Sequence, residues 1–576
     1  MTRMTRMLTT RPRLLAACAL LLAATQAVQA ADIIQVNQLG FLPGARKLAL
    51  VPATAADRFQ VKDAGGKVVF EGPLGKAATW NASGQAVRVA DLSALRAGGT
   101  YRIAVAGLQE STPFPIAPDA YRLLDAGAIR AYTHNRAGIA LDARVAGAWA
   151  RPAGHPDDQV RVHASAASVT RPAGTVIASP KGWYDAGDYN KYVVNSGIST
   201  YTLLAAYEHF PAWFDGLAVN LPESGNGLPD LVNETLWNLD WMATMQDPED
   251  GGVYHKLTNL SFDGMVMPDK ATAPRYVVQK TTAAALDFAA TLAAASRVLA
   301  RFDAQAPGRS QRWLAQAESA WRWALAHPAV RYRQPADVRT GEYGDDKLDD
   351  EFAWAAAELL AATGKAAYRN PAQASGDARK TEPDWGDVRA LGWITLAGQQ
   401  GRLPDEAAAA RSRIVAAADT LLARWQASPY RLAMADKDFT WGSNAVVLNQ
   451  GMMLVQAYRI TGKRDYLDAA QSALDYTLGR NPLGVSYVTG FGTRSAMHPH
   501  HRPSVADGVA APVPGWLVGG PNPGQQDAKD CKAAYGAKQP ALSWLDDACS
   551  YASNEVAINW NAPLVYVAAA LQVLER

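Results

Sequence analysis

The sequence predicts a mainly α-helical protein in which a small immunoglobulin-like β-sandwich precedes a ring of paired helices, an (α/α)6 barrel. Three observations predict this architecture. Short alternating apolar segments with glycine turns occupy the first part of the chain, about eleven long Ala- and Leu-rich segments with helical periodicity occupy the rest, and no strand pattern interrupts the helical segments. At 576 residues the chain is long enough to form both units.

The first 30 residues have the pattern of an export signal. Arginines precede an apolar run, and Val28-Gln29-Ala30 supplies a cleavage point. We therefore expect a periplasmic or secreted protein. Cys18 lies in a stretch that resembles a lipoprotein cleavage box, but only two leucines separate this stretch from Arg13, so lipidation stays an open alternative. No later segment has 18 uninterrupted apolar residues, which predicts no stable membrane insertion.

Two cysteines remain once the signal is removed, Cys531 and Cys549. Cysteines in exported proteins form disulfides that persist, and an even number of cysteines leaves none without a partner. The sequence therefore predicts a disulfide between these two residues.

Residues 31–117 carry the β pattern. From Phe59 to Gly72, apolar residues alternate on both sides of Gly65-Gly66, which predicts a β-hairpin. Residues 100–107 repeat the alternation, and several such strands in a short span suit an immunoglobulin-like sandwich. This span contains no cluster of chemically active side chains.

Residues 118–576 carry the helical pattern, most clearly over 281–302, 311–327 and 405–425. A dozen helices arranged as successive hairpins would enclose a central groove. The stretches between the helical segments are long and rich in Gly, Pro, Asp and aromatic residues. Loops of this kind on a rigid helical scaffold are where chemistry tends to lie.

The charge balance excludes one class of partner. Lys and Arg total 56 against 54 for Asp and Glu, so the chain offers no electrostatic reason to bind nucleic acid, and an uncharged partner fits better. The 17 tryptophans raise the question of whether some rings serve as flat binding platforms, although most aromatic residues in any protein lie in the core.

Residues 182–197, GWYDAGDYNKYVVNSG, crowd four aromatic rings and three glycines around Asp185 and Asp188. Asp-Ala-Gly-Asp is good turn chemistry and a conceivable calcium loop, although its acidic spacing does not match an EF-hand. The alternative is that the two carboxylates take part in a reaction.

Residues 486–502 contain three of the nine histidines, His498, His500 and His501. A metal site is one interpretation. Pro499 interrupts helical spacing, however, and the positive charge of Arg502 opposes cation binding, which favours recognition of anions or hydroxyl groups.

Residues 544–566 place Glu555 at the start of an apolar helix that runs towards the carboxyl terminus. A carboxylate in the first turn of a helix is favoured by the helix dipole, so this position alone does not imply chemistry.

These three stretches, together with VNQLGF at 36–41, resemble the family 9 glycoside hydrolases of the subgroup with an amino-terminal immunoglobulin-like domain, typified by bacterial endoglucanases. Every constrained position of two family signatures is present. The matching residues of the first are Ser486, Val488, Thr489, Gly492, Arg494, Pro499, His500 and Arg502, and those of the second are Trp544, Asp546, Tyr551, Glu555, Ala557, Asn561 and Ala562. The resemblance implies that residues 118–576 form an (α/α)6 barrel catalytic domain.

The resemblance implies an inverting mechanism. Inversion needs one carboxylic acid to protonate the leaving oxygen and one carboxylate, roughly 6.5 to 9.5 Å away, to activate a water. The acid falls on Glu555 and the base on Asp188, while Asp185 matches the aspartate that helps hold the water. A nearby anion raises the pKa of a carboxyl group, so the aspartates would help keep Glu555 protonated.

The resemblance also implies a sugar-binding cleft. His500 and Arg502 match residues that hydrogen-bond sugar hydroxyls, Tyr551 and Trp441 match aromatic positions that line the cleft, and Asp546 is a further expected substrate-binding residue. We expect a monomeric endo-β-1,4-glucanase that acts on cellulose-like or mixed-linkage β-glucans and cello-oligosaccharides. The alternatives are an exo-acting cellodextrinase, β-glucosidase or glucosaminidase, for which the insertion at 510–541 could block the cleft, and a non-catalytic glycan-binding protein.

One departure from the family concerns metals. Members of the subgroup often hold structural zinc through two Cys and two His, but Ala137 and Gly154 occupy the expected cysteine positions here. Without thiolates, His155 and His163 cannot complete a four-ligand site. We therefore expect no zinc and no required cofactor. Structural calcium, which also occurs in the family, stays open with no ligands assigned.

Overall fold

The structure is a computed structural model that describes residues 33–373 and 380–575. The predicted export signal, Cys18 and the outer limits of the two predicted domains lie outside the described residues.

The first unit is a β-sandwich of two antiparallel sheets with strand orders β1-β5-β4 and β3-β2-β6-β7. Its strands are β1 Leu48–Pro52, β2 Arg58–Asp63, β3 Val68–Pro73, β4 Ala78–Trp80, β5 Gln85–Asp91, β6 Gly99–Ala104 and β7 Phe114–Ile116. The predicted hairpin is present, because Val61 of β2 pairs with Phe70 of β3, and Gly66 has φ +81°, a conformation that favours glycine. The side chains of Phe41, Phe59 and Ile103 lie in the core between the sheets.

The second unit is built from helices. Eleven of its described α-helices have nine or more residues, which agrees with the number that the periodicity predicts. The α-helices are α1 Arg122–His134, α2 Ala143–Ala146, α3 Val193–His209, α4 Pro211–Asp215, α5 Asp230–Thr244, α6 Thr282–Leu299, α7 Arg309–Ala326, α8 Asp349–Thr363, α9 Arg369–Gln373, α10 Arg389–Ala397, α11 Pro404–Ala427, α12 Ser443–Thr461, α13 Arg464–Thr477, α14 Arg502–Ala506, α15 Tyr551–Asn554 and α16 Ile558–Leu574.

Six of these helices form an inner ring and six an outer ring. The inner helices α3, α6, α8, α10, α12 and α16 are buried along most of their length, and each packs against an outer partner, respectively α5, α7, α9, α11, α13 and α1. The predicted (α/α)6 barrel is confirmed. One segment, Thr282–Phe302, is long and apolar enough to cross a membrane, but 89 % of its most apolar window is buried, since α6 packs against three neighbouring helices.

The expectation that no strands interrupt the helices is wrong. A five-stranded sheet of order β10-β11-β12-β8-β9 lies beside the barrel. Its strands are β8 Val160–Val162, β9 Val176–Ile177, β10 Lys191–Tyr192, β11 Lys256–Thr258 and β12 Tyr276–Val277. Strands of two or three residues are too short to produce an alternating pattern, and they pair across loops that are far apart in sequence.

The β-sandwich packs directly against the barrel. The ring of Trp80 at the end of β4 lies 4.3 Å from that of Tyr430 and 5.9 Å from that of Phe439. On the same interface, Asn37 donates a buried hydrogen bond of 2.8 Å to the carboxylate of Asp475 on α13. Both contacts are buried, so the two units share a core.

Candidate active site

Two backbone connections join the stretches that carry the predicted carboxylates. The Ile558 amide donates to the Asp185 carbonyl at 2.9 Å, and the Arg502 amide donates to the Gly187 carbonyl at 3.1 Å. Gly187 is essential to this approach, because a Cβ there would lie 2.1 Å from the carbonyl oxygen of His500. The three stretches therefore meet at one end of the barrel, and Asp185, Asp188 and Glu555 line the same cavity.

The two aspartates have different surroundings. Both oxygens of Asp185 accept hydrogen bonds of 2.7 Å, Oδ1 from the Asn195 amide and Oδ2 from the Tyr343 hydroxyl. In Asp188, only Oδ2 accepts hydrogen bonds, from Asn190 and Tyr192, while Oδ1 accepts none from the described residues. Asp188 therefore has an oxygen that no described residue occupies, whereas each oxygen of Asp185 already accepts one hydrogen bond.

Glu555 is enclosed between α15 and α16 in a setting that favours its neutral form. Burial, followed by the charge of Asp188, raises the pKa of the Glu555 carboxyl well above its usual range. Burial and Asp188 also raise the pKa of Asp185 to about 8. The cavity thus combines a carboxylic acid that keeps its proton with an aspartate that has a free oxygen.

His500 and Arg502 lie beside these carboxyls. The His500 ring contacts the Ala548 carbonyl through Nδ1 at 2.6 Å, so Nδ1 is the donor and Nε2 is left unprotonated to accept a hydrogen bond. Arg502 donates from Nε to the Asp263 carbonyl at 2.9 Å and from Nη1 to the Gly187 carbonyl at 2.7 Å. Its Nη2 has no acceptor among the described residues and can bind a hydroxyl group.

Trp441 and Tyr551 form an aromatic pair at the cleft. Their ring centroids are 5.4 Å apart, and Trp441 is 43 % exposed. The fifth predicted binding residue, Asp546, has a different environment. Its carboxylate accepts hydrogen bonds from the backbone amides of Met497 and His498 and from the side-chain amide of Asn554, so it supports the histidine-containing loop.

The cleft extends well beyond the carboxyls. The cavity that contains them has a volume of about 430 Å³, and a neighbouring cavity of about 630 Å³ lies between α10, α11 and α12. Trp385, Trp441, Asn559 and Trp560 line both cavities. We call the three tryptophans the tryptophan wall.

Several residues of this cleft were missed by sequence reasoning. Tyr343 and Trp385 line the cavity from outside the recognised motifs, and Trp560 lines it from an unconstrained position within 544–566. Tyr343 has φ +49°, a strained conformation for an aromatic residue, and its hydroxyl donates to Asp185. Backbone strain of this kind leaves no mark in the sequence.

The insertion at 510–541 lies beside the cleft. The structure joins Cys531 to Cys549. The residue before Cys531, Asp530, accepts a hydrogen bond of 3.1 Å from the Tyr551 hydroxyl. Among the described residues that line the two cavities, none comes from this insertion.

The positions expected to hold zinc thiolates are packed by other groups. Ala137 is buried against Tyr184 and Tyr189, and a Cβ on Gly154 would lie 2.4 Å from the backbone of Pro268. Of the two histidines, His155 hydrogen-bonds the Tyr184 hydroxyl. His163 lies elsewhere and contacts Asp337.

A buried acidic cluster lies on α6 and α8. Both oxygens of Asp287 and both of Glu351 are buried without a hydrogen-bond partner, and Asp350 is their close neighbour. Burial first, then the neighbouring acids, raises the pKa of Asp287 and of Glu351 well above the usual range. Calcium prefers oxygen ligands of this type, although no three acidic, His or Cys side chains in residues 33–373 and 380–575 already form a metal-binding group.

Comparison with known proteins agrees with this geometry. The family model described as glycosyl hydrolase family 9 matches residues 121–568, and the cellulase N-terminal ig-like domain matches residues 29–110. A xyloglucan-specific endo-β-1,4-glucanase of Bacteroides ovatus is 45 % identical over 94 % of each chain, and a cellodextrinase of Butyrivibrio fibrisolvens is 32 % identical over 92 % of this chain and 98 % of that one. A solved Bacteroides ovatus GH9 structure superposes with a TM-score of 0.89 at 43 % identity, covering 95 % of this chain and all of the other. The chain belongs to glycosyl hydrolase family 9.

Proposed function

We propose that this glycoside hydrolase is an inverting endo-β-1,4-glucanase in which Glu555 is the general acid and Asp188 the general base. The observation that carries the proposal is the contrast between the carboxyls of one cavity. Glu555 is partly buried in a setting that keeps its proton on, whereas Asp188 has an oxygen free for water. Proton transfer by two such groups is what inversion at an anomeric carbon requires.

In this mechanism, Glu555 donates its proton to the glycosidic oxygen as the bond to the anomeric carbon breaks. Asp188 removes a proton from a water that attacks the opposite face of the sugar. Asp185, which accepts a hydrogen bond from Tyr343, helps hold that water, and His500 and Arg502 bind hydroxyl groups beside the scissile bond. Because the substrate is β-linked, the newly formed reducing end is released as the α anomer.

The length of the cleft favours internal cleavage. The two cavities that share the tryptophan wall provide a groove longer than the catalytic pocket, which a polymer can occupy on one side of the scissile bond. Among the described residues, none of the insertion at 510–541 lines either cavity, so the alternative in which it blocks the cleft has no support in the geometry. The cellodextrinase relative keeps exo-type cleavage of short chains as the second candidate.

The substrate class is a β-1,4-linked glucan. A backbone of this type is shared by cellulose, mixed-linkage glucans and xyloglucan, and the Bacteroides ovatus relative makes xyloglucan a polymer to test beside the first two. We also propose an exported monomer made of a β-sandwich unit and a catalytic unit, with no zinc. Calcium, if held, lies at the cluster of Asp287 and Glu351 and has a structural role.

The decisive experiment compares three soluble polymers: carboxymethyl cellulose, mixed-linkage β-glucan and xyloglucan. Rapid loss of viscosity relative to the release of reducing ends shows internal cleavage, whereas slow loss of viscosity with early release of short products shows exo cleavage. Proton NMR of the first products from cellohexaose reports the anomer. A β anomer, or no hydrolysis of any of these polymers, would contradict the proposed function.

A further inference from the structure

Lys256 is a buried lysine behind the catalytic cavity that the mechanism does not use. It lies on β11 opposite Tyr192 of β10, and its side chain is not exposed to solvent. Its ammonium donates to the Gln334 side chain at 3.1 Å, to the Thr340 hydroxyl at 3.1 Å and to the Gly341 carbonyl at 2.5 Å. These acceptors occupy all three N–H groups, and none of them is charged. A buried charge whose contacts are all uncharged is costly, so a role beyond packing is expected.

Asp188 is the anion that acts most strongly on Lys256. Burial lowers the pKa of Lys256 to about 7, and the charge of Asp188, followed by that of Glu342, opposes this fall. The ring of Tyr192 lies against the same ammonium, with its centroid 5.5 Å from Nζ. Lys256 therefore interacts with the proposed base through charge, and with one of the hydrogen-bond donors of that base through the aromatic ring.

A chain of hydrogen bonds runs from Lys256 to Asp188 through Asn190. The Thr340 hydroxyl, which accepts from Lys256, lies 2.6 Å from the hydroxyl of Thr258. Thr258 donates to the side-chain carbonyl of Asn190 at 3.0 Å, and the Asn190 amide donates to Oδ2 of Asp188 at 2.5 Å. An ammonium can only donate, so the hydrogens of this chain can all point from Lys256 towards Asp188. The chain helps to fix which end of the Asn190 side chain faces the carboxylate.

A second, shorter chain reaches the same oxygen through Tyr192. The Gly341 carbonyl accepts from Lys256, and the Gly341 amide donates to the Tyr192 hydroxyl at 3.0 Å. Because that hydroxyl accepts from Gly341, its own hydrogen is free for Oδ2 of Asp188, which lies 3.3 Å away. Asn190 and Tyr192, the two side chains that donate to Oδ2, are therefore both connected to one ammonium.

We propose that Lys256 is a positioning residue for the base of the inverting reaction: it holds the two donors on Oδ2 of Asp188, so that Oδ1 points to the attacking water. The inference rests on the proposed role of Asp188. A carboxylate that is held through one oxygen keeps the direction of the other, and misplacement of a reacting group by about 1 Å costs roughly 100-fold in rate. Because Lys256 has no exposed surface, it should affect the rate of the base-dependent step and not the binding of substrate.

The test measures kcat and KM of Lys256→Met on two substrates at a pH below 7, where Lys256 is charged. Cellotetraose has a poor leaving group and needs both acid and base, whereas dinitrophenyl cellobioside needs only the base. Because Lys256 acts on the base, kcat should fall roughly 10- to 100-fold on both substrates, while KM changes by less than about threefold.

Double variants separate this role from a loss of folded protein. In the Asp188→Asn background, Lys256→Met should lower the remaining rate on dinitrophenyl cellobioside by less than about threefold, because the base that Lys256 positions is already absent. In the Glu555→Gln background, Lys256→Met should still lower this rate roughly 10- to 100-fold, because the base is intact. A smaller amount of folded enzyme would lower the rate equally in both backgrounds.

Lys47 provides a matched control outside the catalytic unit. It immediately precedes β1, is as buried as Lys256, and its ammonium also donates to uncharged acceptors, here three backbone carbonyls. Lys47→Met should therefore lower the thermal midpoint, while kcat of the folded enzyme stays at the wild-type value.

Thr340→Val gives a result if Lys256→Met does not fold. This variant removes one link of the chain through Asn190 and nearly keeps the volume of the side chain. It should lower kcat on both substrates, by less than Lys256→Met does, because the chain through Tyr192 remains.

Wild-type kcat in folded Lys256→Met, or in Thr340→Val if only that variant folds, overturns the inference. A loss confined to KM, a loss on cellotetraose alone, or an equal loss in the Asp188→Asn and Glu555→Gln backgrounds also overturns it. If Asp188→Asn keeps a near wild-type rate on both substrates, the proposed assignment of the base is itself refuted, whatever Lys256→Met shows.

Discussion

Asp188 and Glu555 lie in one cavity, and their different surroundings suit them to different proposed roles, base and acid. Glu555 is partly buried and its neutral form is favoured, while Asp188 has hydrogen bonds on one oxygen only. The same contrast separates Asp188 from Asp185, whose two oxygens are both engaged. The assignment of acid and base is therefore open to test by substitution of each carboxyl.

Glu555→Gln should abolish hydrolysis of cello-oligosaccharides but spare aryl cellobiosides with good leaving groups, because only the former need protonation of the leaving oxygen. Asp188→Asn should lose both activities. Loss of a positioned proton-transfer group lowers the rate by roughly 10² to 10⁴. Initial rates on cellotetraose and on dinitrophenyl cellobioside measure the difference. Near wild-type rates in Asp188→Asn would show that this aspartate is only a turn residue.

Asp185→Asn should stabilise the protein increasingly as the pH rises. The pKa of Asp185 is raised from 3.8 to about 8 in the folded state, so folding favours its protonated form. The stability associated with that proton is fully present below about pH 4 and is lost as the pH rises towards 8. An asparagine cannot ionise and does not suffer this loss.

Urea unfolding of wild type and Asp185→Asn at pH 4, 6 and 8 measures this effect. The difference in the free energy of unfolding should grow in favour of the variant over this range and level off above about pH 8. A difference that is constant with pH would mean that Asp185 is ionised in the folded protein throughout.

At the scale of elements, long segments with a regular apolar pattern were predictable, and strands of two or three residues were not. The helices α6, α7 and α11 follow their apolar periodicity to within a few residues, and the hairpin of β2 and β3 follows its alternation around Gly65-Gly66. The strands β8 to β12 have two or three residues each, which is less than one full alternation. They exist because tertiary pairing, and not local preference, defines them.

The same limit applies to the active site. Motif matching selected Asp188, Glu555 and His500, because each belongs to a stretch with a family pattern, and the structure places the two carboxyls in one cavity with the His500 ring 6.0 Å from that of Tyr551. It did not find Tyr343, whose contact with Asp185 depends on a left-handed backbone and on a separation of 158 residues. Asp546, which the resemblance assigned to the substrate, accepts hydrogen bonds from the backbone of a neighbouring loop, and its contact with substrate stays a prediction.

The disulfide-closed segment 531–549 supports the cleft from outside. Asp530, next to Cys531, binds Tyr551, and the carbonyl of Ala548, next to Cys549, binds His500. Cys531→Ser with Cys549→Ser should lower the free energy of unfolding by roughly 3 kcal/mol through the entropy of the unfolded chain. KM for cellopentaose should rise as well, because Tyr551 and His500 lose fixed partners.

Thermal unfolding and steady-state kinetics of the double variant measure these effects, and wild type treated with a reductant is the matched control. Alkylation of non-reduced wild type followed by mass spectrometry counts free thiols. Two free thiols in the mature protein would refute the disulfide.

Calcium should raise the thermal midpoint if the acidic cluster binds it. A cation that binds only the folded state stabilises that state by mass action, and Asp287 and Glu351 have buried oxygens without partners. Asp287→Asn should remove the response to calcium. Asp125→Asn is the control, since Asp125 is equally buried but accepts a hydrogen bond from Trp213.

The measurement is differential scanning fluorimetry with calcium or with a chelator. If the wild-type midpoint is the same in both, protons and not a cation neutralise this cluster. Elemental analysis of the same samples reports zinc, which should lie well below one ion per chain.

At the scale of the whole molecule, the β-sandwich and the barrel should unfold as one unit, because Trp80 is buried between them against Tyr430 and Phe439. Trp80→Ala should destabilise the protein by about 3 to 5 kcal/mol and lower the midpoint of a single transition. Phe439 is two residues from Trp441, so kcat/KM should fall too.

Calorimetry of wild type and Trp80→Ala checks this expectation, with Val68→Ala on the exposed side of the sandwich as a control. Two separate transitions in the wild-type protein, or a Trp80→Ala variant with unchanged stability, would show that the units are independent.

The backbone hydrogen bond between Asp185 and Ile558 has a further consequence for the folding of the enzyme. The residues that it joins are separated by most of the barrel, and Asn195 and Asn559 beside them are 364 positions apart. Contacts of such long sequence separation carry a large loop-closure entropy cost, which slows their formation. A folding intermediate with most of its helices in place would still lack an aligned acid and base. Hydrolytic activity therefore reports completion of the fold, and a chain that has not yet docked its last helix has no means of cutting a glucan.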